Sequence, residues 1–153
     1  MVRYFEDYTV GETRTMGSFS LSEADIIDFA ERFDPLWLHT DPERAEELSP
    51  FGGIIASGWH TLCSCHGLLI DELGDSMALG SPGVEEVSWP KPVFPGDTLT
   101  VESEVVATRP SESRPDRGLV TTEITATDDD GEIALAYRPL MFYLRRDNSA
   151  ASD

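Results

Sequence analysis

Two residues that commonly transfer protons in enzymes stand five positions apart in the first third of the chain. Asp34 directly precedes Pro35, and His39 lies in the segment LWLHT that follows. A carboxylate and an imidazole held close together can take a proton from a water molecule and return it elsewhere. Taken alone, Asp34 could equally be a turn residue whose side chain bonds to the nearby backbone.

A glycine at the predicted start of a helix is the third candidate for chemistry. Gly58 lies in the segment SPFGGIIASGWHT. The first N–H groups of a helix have no partner within it, so they can stabilise negative charge that develops on a substrate. The alternative role of Gly58 is to permit tight packing. Ser57 is expected to cap this helix rather than act as a nucleophile, because no G-x-S-x-G turn surrounds it.

The element that positions Asp34 is a predicted helix that ends at this residue. Ser22 and Asp25 resemble a capping box, which marks the start of a helix. Pro35 disfavours helical geometry at Asp34, so we expect the helix to end there and residues 34–40 to be irregular. Apolar residues at three- and four-residue spacing give the helix one apolar face: Ile26, Ile27, Phe29, Ala30 and Phe33.

The element that positions Gly58 is a second predicted helix, which Ser57 begins and Gly74 ends. Its residues are apolar or small on most sides, with charge only at Asp71 and Glu72, so we expect the fold to enclose it. After Gly83 the pattern changes to strands joined by tight turns. The sequence therefore predicts an α+β fold in which an antiparallel β-sheet wraps around a central apolar α-helix.

Length and composition predict one domain. A chain of 153 residues that is 40% hydrophobic can bury one core of ordinary size. We expect the domain to span residues 1–146 and residues 147–153 to form a disordered tail. Without an apolar run of about 20 residues, and without a secretory signal at the N-terminus, the sequence predicts a cytoplasmic protein that does not bind membranes.

The charge balance is strongly acidic, with 29 acidic and 11 basic residues and a formal net charge of -18. Salt screens the repulsion among so many like charges, so this composition is typical of halophilic proteins. An acidic protein of ordinary cytosol is the alternative. Nucleic acid is not an expected partner, because its phosphate backbone requires a basic face. The three histidines have no spacing typical of a zinc site, and we predict no metal.

Four segments together resemble the MaoC-like dehydratase family, the (R)-specific enoyl-CoA hydratases: FDPLWLHTDPERA, SPFGGIIASGWHT, WPKPVFPGDTL and RPSESRPDRG. The resemblance implies a hot-dog fold and a hydro-lyase that reversibly adds water to a 2-enoyl-CoA. Asp34 and His39 would then activate the water, and the N–H of Gly58 would bind the thioester oxygen. The sequence departs from the family pattern at two places. Pro35 directly follows Asp34, whereas many members have Asn-Pro two and three residues after the acid. Ser57 stands where many members have histidine.

The resemblance also assigns substrate-binding residues. Around the start of the second helix these are Ser57, Trp59 and Ser64. Arg114 and Arg117 lie in the densest basic segment, and guanidinium groups are well suited to the phosphates of coenzyme A. The alternative is a solvated loop in which these arginines pair with neighbouring acids. No cofactor is implied beyond the coenzyme A of the substrate.

Two other functions stay open at this point. A hot-dog acyl-CoA thioesterase would use a carboxylate on the enclosed helix, where acids occur only at Asp71 and Glu72. A non-catalytic acyl-CoA-binding subunit would not need Asp34 and His39 together. In each case a half-open sheet leaves an exposed edge that association would cover, so we expect at least a homodimer.

Overall fold

The computed structural model describes residues 1–147 and contains, over this range, five strands, four α-helices and a short 3₁₀-helix. The predicted tail lies outside the described residues except for Asp147. In chain order the elements are the 3₁₀-helix Phe5–Asp7, β1 Thr13–Ser20, α1 Glu23–Phe33, α2 Trp37–Thr40, α3 Pro42–Leu48, α4 Gly58–Leu73, β2 Ala78–Ser88, β3 Thr98–Pro110, β4 Arg117–Thr127 and β5 Ile133–Leu144.

The strands form one antiparallel sheet in the order β1-β3-β4-β5-β2. The turn between β4 and β5 is fixed by Asp128, whose carboxylate accepts from the backbone N–H groups of Asp130 and Glu132 at 3.0 Å. Gly131 in this turn has φ 79°, a conformation that favours glycine. The predicted α+β fold with an antiparallel sheet is confirmed.

Helix α4 packs one face against this sheet. Thr61, Cys65 and Leu69 are buried at four-residue intervals along it, which is the spacing of one helical face. They pack against core residues of the sheet. Full burial of one aliphatic side chain in such a core stabilises the fold by about 1.5–3 kcal/mol. The residues of this core with the lowest exposure are Leu99, Val101, Ile124, Ala126, Ala134, Leu135 and Tyr137.

The opposite face of α4 is exposed in the single chain, contrary to the prediction of an enclosed helix. Trp59 is 55% exposed and Ile70 is 47% exposed, and Cys63 also lies on the surface. The sheet covers only one side of the helix, so the apolar residues opposite it have no cover within the chain. None of the helices within residues 1–147 combines the length and the hydrophobicity that a membrane-spanning segment requires.

Helix α1 begins as the sequence predicts. The Ser22 hydroxyl accepts from the N–H of Asp25 at 3.1 Å, and the Asp25 carboxylate accepts from the N–H of Ser22 at 3.2 Å. Ile26 and Ala30 are the buried residues of this helix. Phe33 was expected on the same face but is 66% exposed. It is the last residue of α1, and its ring lies 5.1 Å from that of Phe29 one turn earlier.

The sequence predicted an irregular segment from Asp34 to Thr40, and this prediction is wrong for its second half, Trp37–Thr40, which is helical. Asp34 ends α1 with φ -154° and ψ 68°, a non-helical conformation that the following Pro35 favours. The chain then forms α2 at once, because the C=O of Leu36 accepts from the N–H of His39 at 2.9 Å and from the Thr40 hydroxyl at 3.1 Å. His39 is therefore held on a helical turn.

Candidate active site

Three elements meet where the predicted catalytic residues lie. Asp34 stands at the end of α1, His39 lies on α2, and Ser57 and Gly58 begin α4. The segment before α4 is tied to α2 by a hydrogen bond from the N–H of Ile55 to the C=O of Leu38 at 3.1 Å. The fold therefore brings the proton-transfer residues and the start of the central helix to one place.

His39 is buried, with 7% of its surface exposed. Its Nδ1 lies 2.7 Å from the carbonyl oxygen of Ile55. A carbonyl oxygen can only accept, so Nδ1 must carry the proton of this hydrogen bond. In the neutral ring the other nitrogen, Nε2, then has a free lone pair. This nitrogen faces Asp34, and the main chain thus sets His39 as a proton acceptor on that side.

Asp34 is held by the hydroxyl of Ser57, which donates to Oδ2 at 2.7 Å. The same oxygen lies 3.5 Å from Nε2 of His39, which is long for a direct hydrogen bond. When His39 is neutral, both atoms are acceptors, so a water molecule that donates one O–H to each would satisfy the pair. We refer to Asp34 and His39 as the dyad.

Ser57 does not cap α4 with its side chain, although it occupies the N-cap position as predicted. The residue is completely buried, and its hydroxyl makes no capping hydrogen bond because it is directed to Asp34. The sequence assigned Ser57 to substrate binding, whereas the structure places its hydroxyl behind the carboxylate. Its contact is therefore with a catalytic candidate.

The first turn of α4 presents unpaired N–H groups. The C=O of Ser57 accepts from the N–H groups of His60 and Thr61 at 3.0 and 3.2 Å. The N–H groups of Gly58 and Trp59 have no acceptor within residues 1–147, as expected for the first residues of a helix. Because the two hydrogen bonds to the C=O of Ser57 polarise the Ser57–Gly58 peptide, they strengthen the N–H of Gly58 as a donor.

The dyad and the start of α4 border one cavity of about 440 Å³, which we call the dyad cavity. Its lining contains four of the predicted site residues, namely Asp34, His39, Gly58 and Trp59. The other lining residues were not assigned to the site from the sequence: Phe51, Ile55, Ala56, Thr61, Trp89, Pro90, Lys91, Pro92 and Val93.

Trp89 is the missed residue with the most specific contact. Its indole Nε1 donates to the C=O of Gly58 at 2.8 Å, and its ring meets that of Trp59 edge to face at a centroid distance of 5.3 Å. The sequence WPKPV indicated a stiff stretch of chain, because its two prolines restrict the backbone. Nothing in the sequence indicated that this segment crosses the start of a helix 31 positions earlier.

Comparison with known proteins identifies the family. The MaoC like domain matches residues 7–128, a range that contains the dyad, all four helices and most of the sheet. The chain belongs to the MaoC-like family. Among curated relatives, the uncharacterized protein YdeM of Bacillus subtilis is 32% identical over 143 residues, which cover 92% of this chain and 98% of that protein.

A second curated relative is the mesaconyl-CoA hydratase of Cereibacter sphaeroides. It is 29% identical over 156 residues, which cover 97% of this chain and 43% of the relative. The MaoC-like chain described here thus spans less than half the length of that hydratase.

Solved structures agree with the family assignment. The MaoC-like dehydratase from Rhodospirillum rubrum has a TM-score of 0.82 and 36% identity, covering 94% of this chain and 98% of that one. The (R)-hydratase from A. caviae involved in PHA biosynthesis has a TM-score of 0.69 and 29% identity, covering 92% of this chain and 99% of that one. A neighbour described as a double hot-dog fold has a TM-score of 0.76 at 18% identity, and the predicted hot-dog fold is confirmed.

Ser64 does not reach the dyad cavity of this MaoC-like chain. It lies farther along α4, and its hydroxyl donates to the C=O of His60 at 2.9 Å. A serine hydroxyl in a helix often bonds to the carbonyl one turn earlier, and this bond occupies the donor. The structure therefore does not support the expectation that Ser64 binds substrate beside the dyad.

Arg114 and Arg117 also lie away from the dyad cavity. Strand β3 leads from the cavity side, near Val93, to the loop that contains Arg114, and its 13 residues span about 40 Å at roughly 3.3 Å each. Arg117 pairs with Asp116 through two hydrogen bonds of 2.8 and 2.9 Å. Within one chain, the alternative of a loop with internal pairing describes this segment better than a phosphate site.

Proposed function

We propose that this MaoC-like protein is an (R)-specific enoyl-CoA hydratase, or 3-hydroxyacyl-CoA dehydratase, that reversibly adds water to a 2-enoyl-CoA thioester. One observation carries the proposal. Oδ2 of Asp34 and Nε2 of His39 stand 3.5 Å apart at a cavity that the first turn of α4 also lines. β-Addition of water requires a base, a proton donor and an electrophilic hold on the carbonyl, and these groups can supply all three.

In the hydration direction, a water molecule donates one O–H group to Asp34 and the other to His39. The oxygen lone pair then faces C3 of the enoyl thioester. As the C3–O bond forms, the dyad takes one proton from the water, and it gives one proton to C2. The product carries a hydroxyl on C3 and a hydrogen on C2, and the dyad returns to its starting protonation state. Dehydration is the reverse sequence.

The start of α4 stabilises the intermediate charge in this proposal. While C3 is attacked, the electron pair of the double bond moves towards the thioester oxygen, which becomes enolate-like. The N–H of Gly58 donates to that oxygen, and the positive end of the helix dipole lies at the same place. Such donors contribute most when they are fixed before the reaction begins.

The relatives support the reaction class. The mesaconyl-CoA hydratase and the (R)-hydratase are both hydratases by name, and the second supports the proposed stereochemistry. The substrate proposed for this chain is a 2-enoyl-CoA, and coenzyme A enters only as part of that substrate. No other cofactor is proposed.

The thioesterase alternative finds no support in the site. Its carboxylate would have to lie on the central helix, where Asp71 and Glu72 are exposed near the C-terminal end. The dyad cavity lies at the opposite end of α4, beside Gly58. A non-catalytic binding role would leave the position of the dyad unexplained.

We further propose a homodimer, because β2 is an edge strand with one partner in the described chain, β5. Leu79 and Val84 on this strand are 44% and 47% exposed, and Ile70 is exposed on the face of α4 that the sheet does not cover. Exposed apolar edges of this kind favour association. Sedimentation equilibrium in molar chloride should give twice the chain mass of 16.9 kDa, and Val84→Lys should shift the mass towards the monomer. A monomeric wild type would exclude the dimer.

The reaction is tested with crotonyl-CoA in an assay with two readouts. Loss of the enoyl absorbance without release of free thiol is the expected result for a hydratase. Release of free thiol would identify a thioesterase instead. Binding without either change would favour the non-catalytic subunit, and each of these two results would overturn the proposal.

A further inference from the structure

The indole of Trp89 occupies the space in which a side chain at position 58 would stand. A Cβ atom built on Gly58 would lie 2.5, 2.7 and 2.8 Å from Cε2, Nε1 and Cδ2 of Trp89, closer than real carbon contacts allow. Gly58 does not have a positive φ, so its backbone conformation does not require glycine. The contact with Trp89 therefore explains the absence of a side chain at this position.

The segment that carries Trp89 is itself anchored at two points. The C=O of Val93 accepts from the N–H of Ala56 at 2.8 Å, next to Ser57. Lys91 forms ion pairs with Asp128 and Glu132 at the turn between β4 and β5. Residues 89–93 thus bind the chain just before α4 and the first residue of α4, while Lys91 ties them to the sheet.

We propose that Trp89 is a positioning residue that fixes the first turn of α4 for catalysis. Its N–H bonds to the C=O of Gly58, and its ring lies against the Cα of the same residue. These contacts hold the two peptide groups on either side of Gly58. One of them carries the N–H of Gly58, and the other carries the N–H of Trp59. This inference rests on the proposed function, in which the N–H of Gly58 stabilises the enolate-like oxygen.

The role predicts a specific kinetic effect. A donor that strengthens its hydrogen bond in the transition state affects kcat more than KM. Trp89→Phe keeps a ring but removes the N–H, and Trp89→Ala removes both contacts. We expect kcat to fall by about tenfold in the first variant and by on the order of a hundredfold in the second, since small misplacements have large effects. A change in KM alone, or an unchanged kcat in both variants, would overturn the proposal.

A double-mutant cycle tests the contact itself. Gly58→Ala should lower kcat and the melting temperature in the wild-type background, because its methyl group collides with the indole. In the Trp89→Ala background the same substitution meets no ring, so its effect on both quantities should be several-fold smaller or absent. Equal effects in the two backgrounds would show that Trp89 does not determine the need for glycine.

The failure of this proposal can be told from failure of the proposed function. Amide hydrogen exchange of His60 and Thr61, whose N–H groups bond to the C=O of Ser57 in the first turn of α4, can be measured by NMR without any substrate. If Trp89 positions this turn, Trp89→Phe should speed exchange at these two amides relative to the later turns of α4. Unchanged exchange would overturn the positioning role even in an active hydratase. Faster exchange in a protein without hydratase activity would reject the proposed function and leave the structural constraint intact.

Discussion

The hydroxyl of Ser57 donates a 2.7 Å hydrogen bond to Oδ2 of Asp34, the same oxygen that lies 3.5 Å from Nε2 of His39. Ser57 is completely buried, so no bulk water competes for this contact. The serine thereby fixes the direction of the carboxylate, and the carbonyl oxygen of Ile55 fixes the imidazole. Both members of the dyad are oriented by groups that the substrate does not need to touch.

Ser57→Ala is therefore expected to reduce kcat by about tenfold. A hydrogen bond to a charged group is worth roughly 1.5–3 kcal/mol, and part of this is lost from the reaction when the carboxylate can rotate. The measurement is steady-state hydration of crotonyl-CoA. Ser64→Ala is the matched control, because this serine is on the same helix and bonds to the C=O of His60. Equal losses in the two variants would contradict the positioning role of Ser57.

Much of the site was predictable because its signals are local. The capping box at Ser22, the proline after Asp34 and the glycine-rich segment before α4 each act within a few residues. They define where α1 ends and α4 begins, and so where the dyad and Gly58 lie in the chain. The sequence did not predict α2, because the Pro35 effect reaches only the preceding residue and a new helical turn can start immediately afterwards.

The remaining parts depend on contacts between distant segments. The hydroxyl of Ser57 could cap its own helix or bond elsewhere, and only the approach of α1 directs it to Asp34. Trp89 comes 31 positions after Gly58, so no local pattern links the two. Similarly, the density of arginines around Arg114 does not reveal that β3 carries this loop to the far end of the sheet.

His60 should make stability depend on pH. Its ring stacks on Phe29 at 4.4 Å, and burial lowers its pKa below the ordinary value of 6.5, with partial opposition from Asp25. The unfolded chain therefore binds a proton at a higher pH than the folded protein does. The His60 contribution should lower stability as the pH decreases through 6.5. This contribution should stop growing once His60 is also protonated in the folded protein.

The corresponding measurement is the melting temperature of wild type and His60→Phe from about pH 7.5 to about pH 5.5, the range in which histidine titrates. Phenylalanine keeps the stacking on Phe29 but cannot titrate. We expect a smaller loss of melting temperature in the variant across this range. The same loss in both proteins would show that His60 does not cause it.

The acidic composition should make stability increase with salt. With 29 acidic and 11 basic residues, 18 acidic residues would stay without a basic partner if every basic residue bound one acid. Screening reduces their repulsion, and the Debye length falls to about 3 Å at 1 M salt. The melting temperature should rise from low to molar potassium chloride. Chloride is preferred to sulfate, which stabilises many proteins by exclusion from their surface; a constant or falling value would contradict the halophilic interpretation.

The dyad variants require a check of folding before they are assayed. His39 is buried and donates to the C=O of Ile55, so His39→Ala leaves this carbonyl without its partner at a cost of about 1–3 kcal/mol. Asp34→Asn keeps the size of the side chain. Each variant should be assayed well below its own melting temperature, with Ser64→Ala as the folded control.

The most direct test is kcat for crotonyl-CoA hydration in Asp34→Asn, His39→Ala and the double variant. If the two residues manage one water and its proton together, each single change should reduce kcat by on the order of 10²–10⁴. The double change should cost little more than the worse single change, because residues that act as a unit give non-additive losses. Substantial hydratase activity in a well-folded double variant would contradict the proposed mechanism.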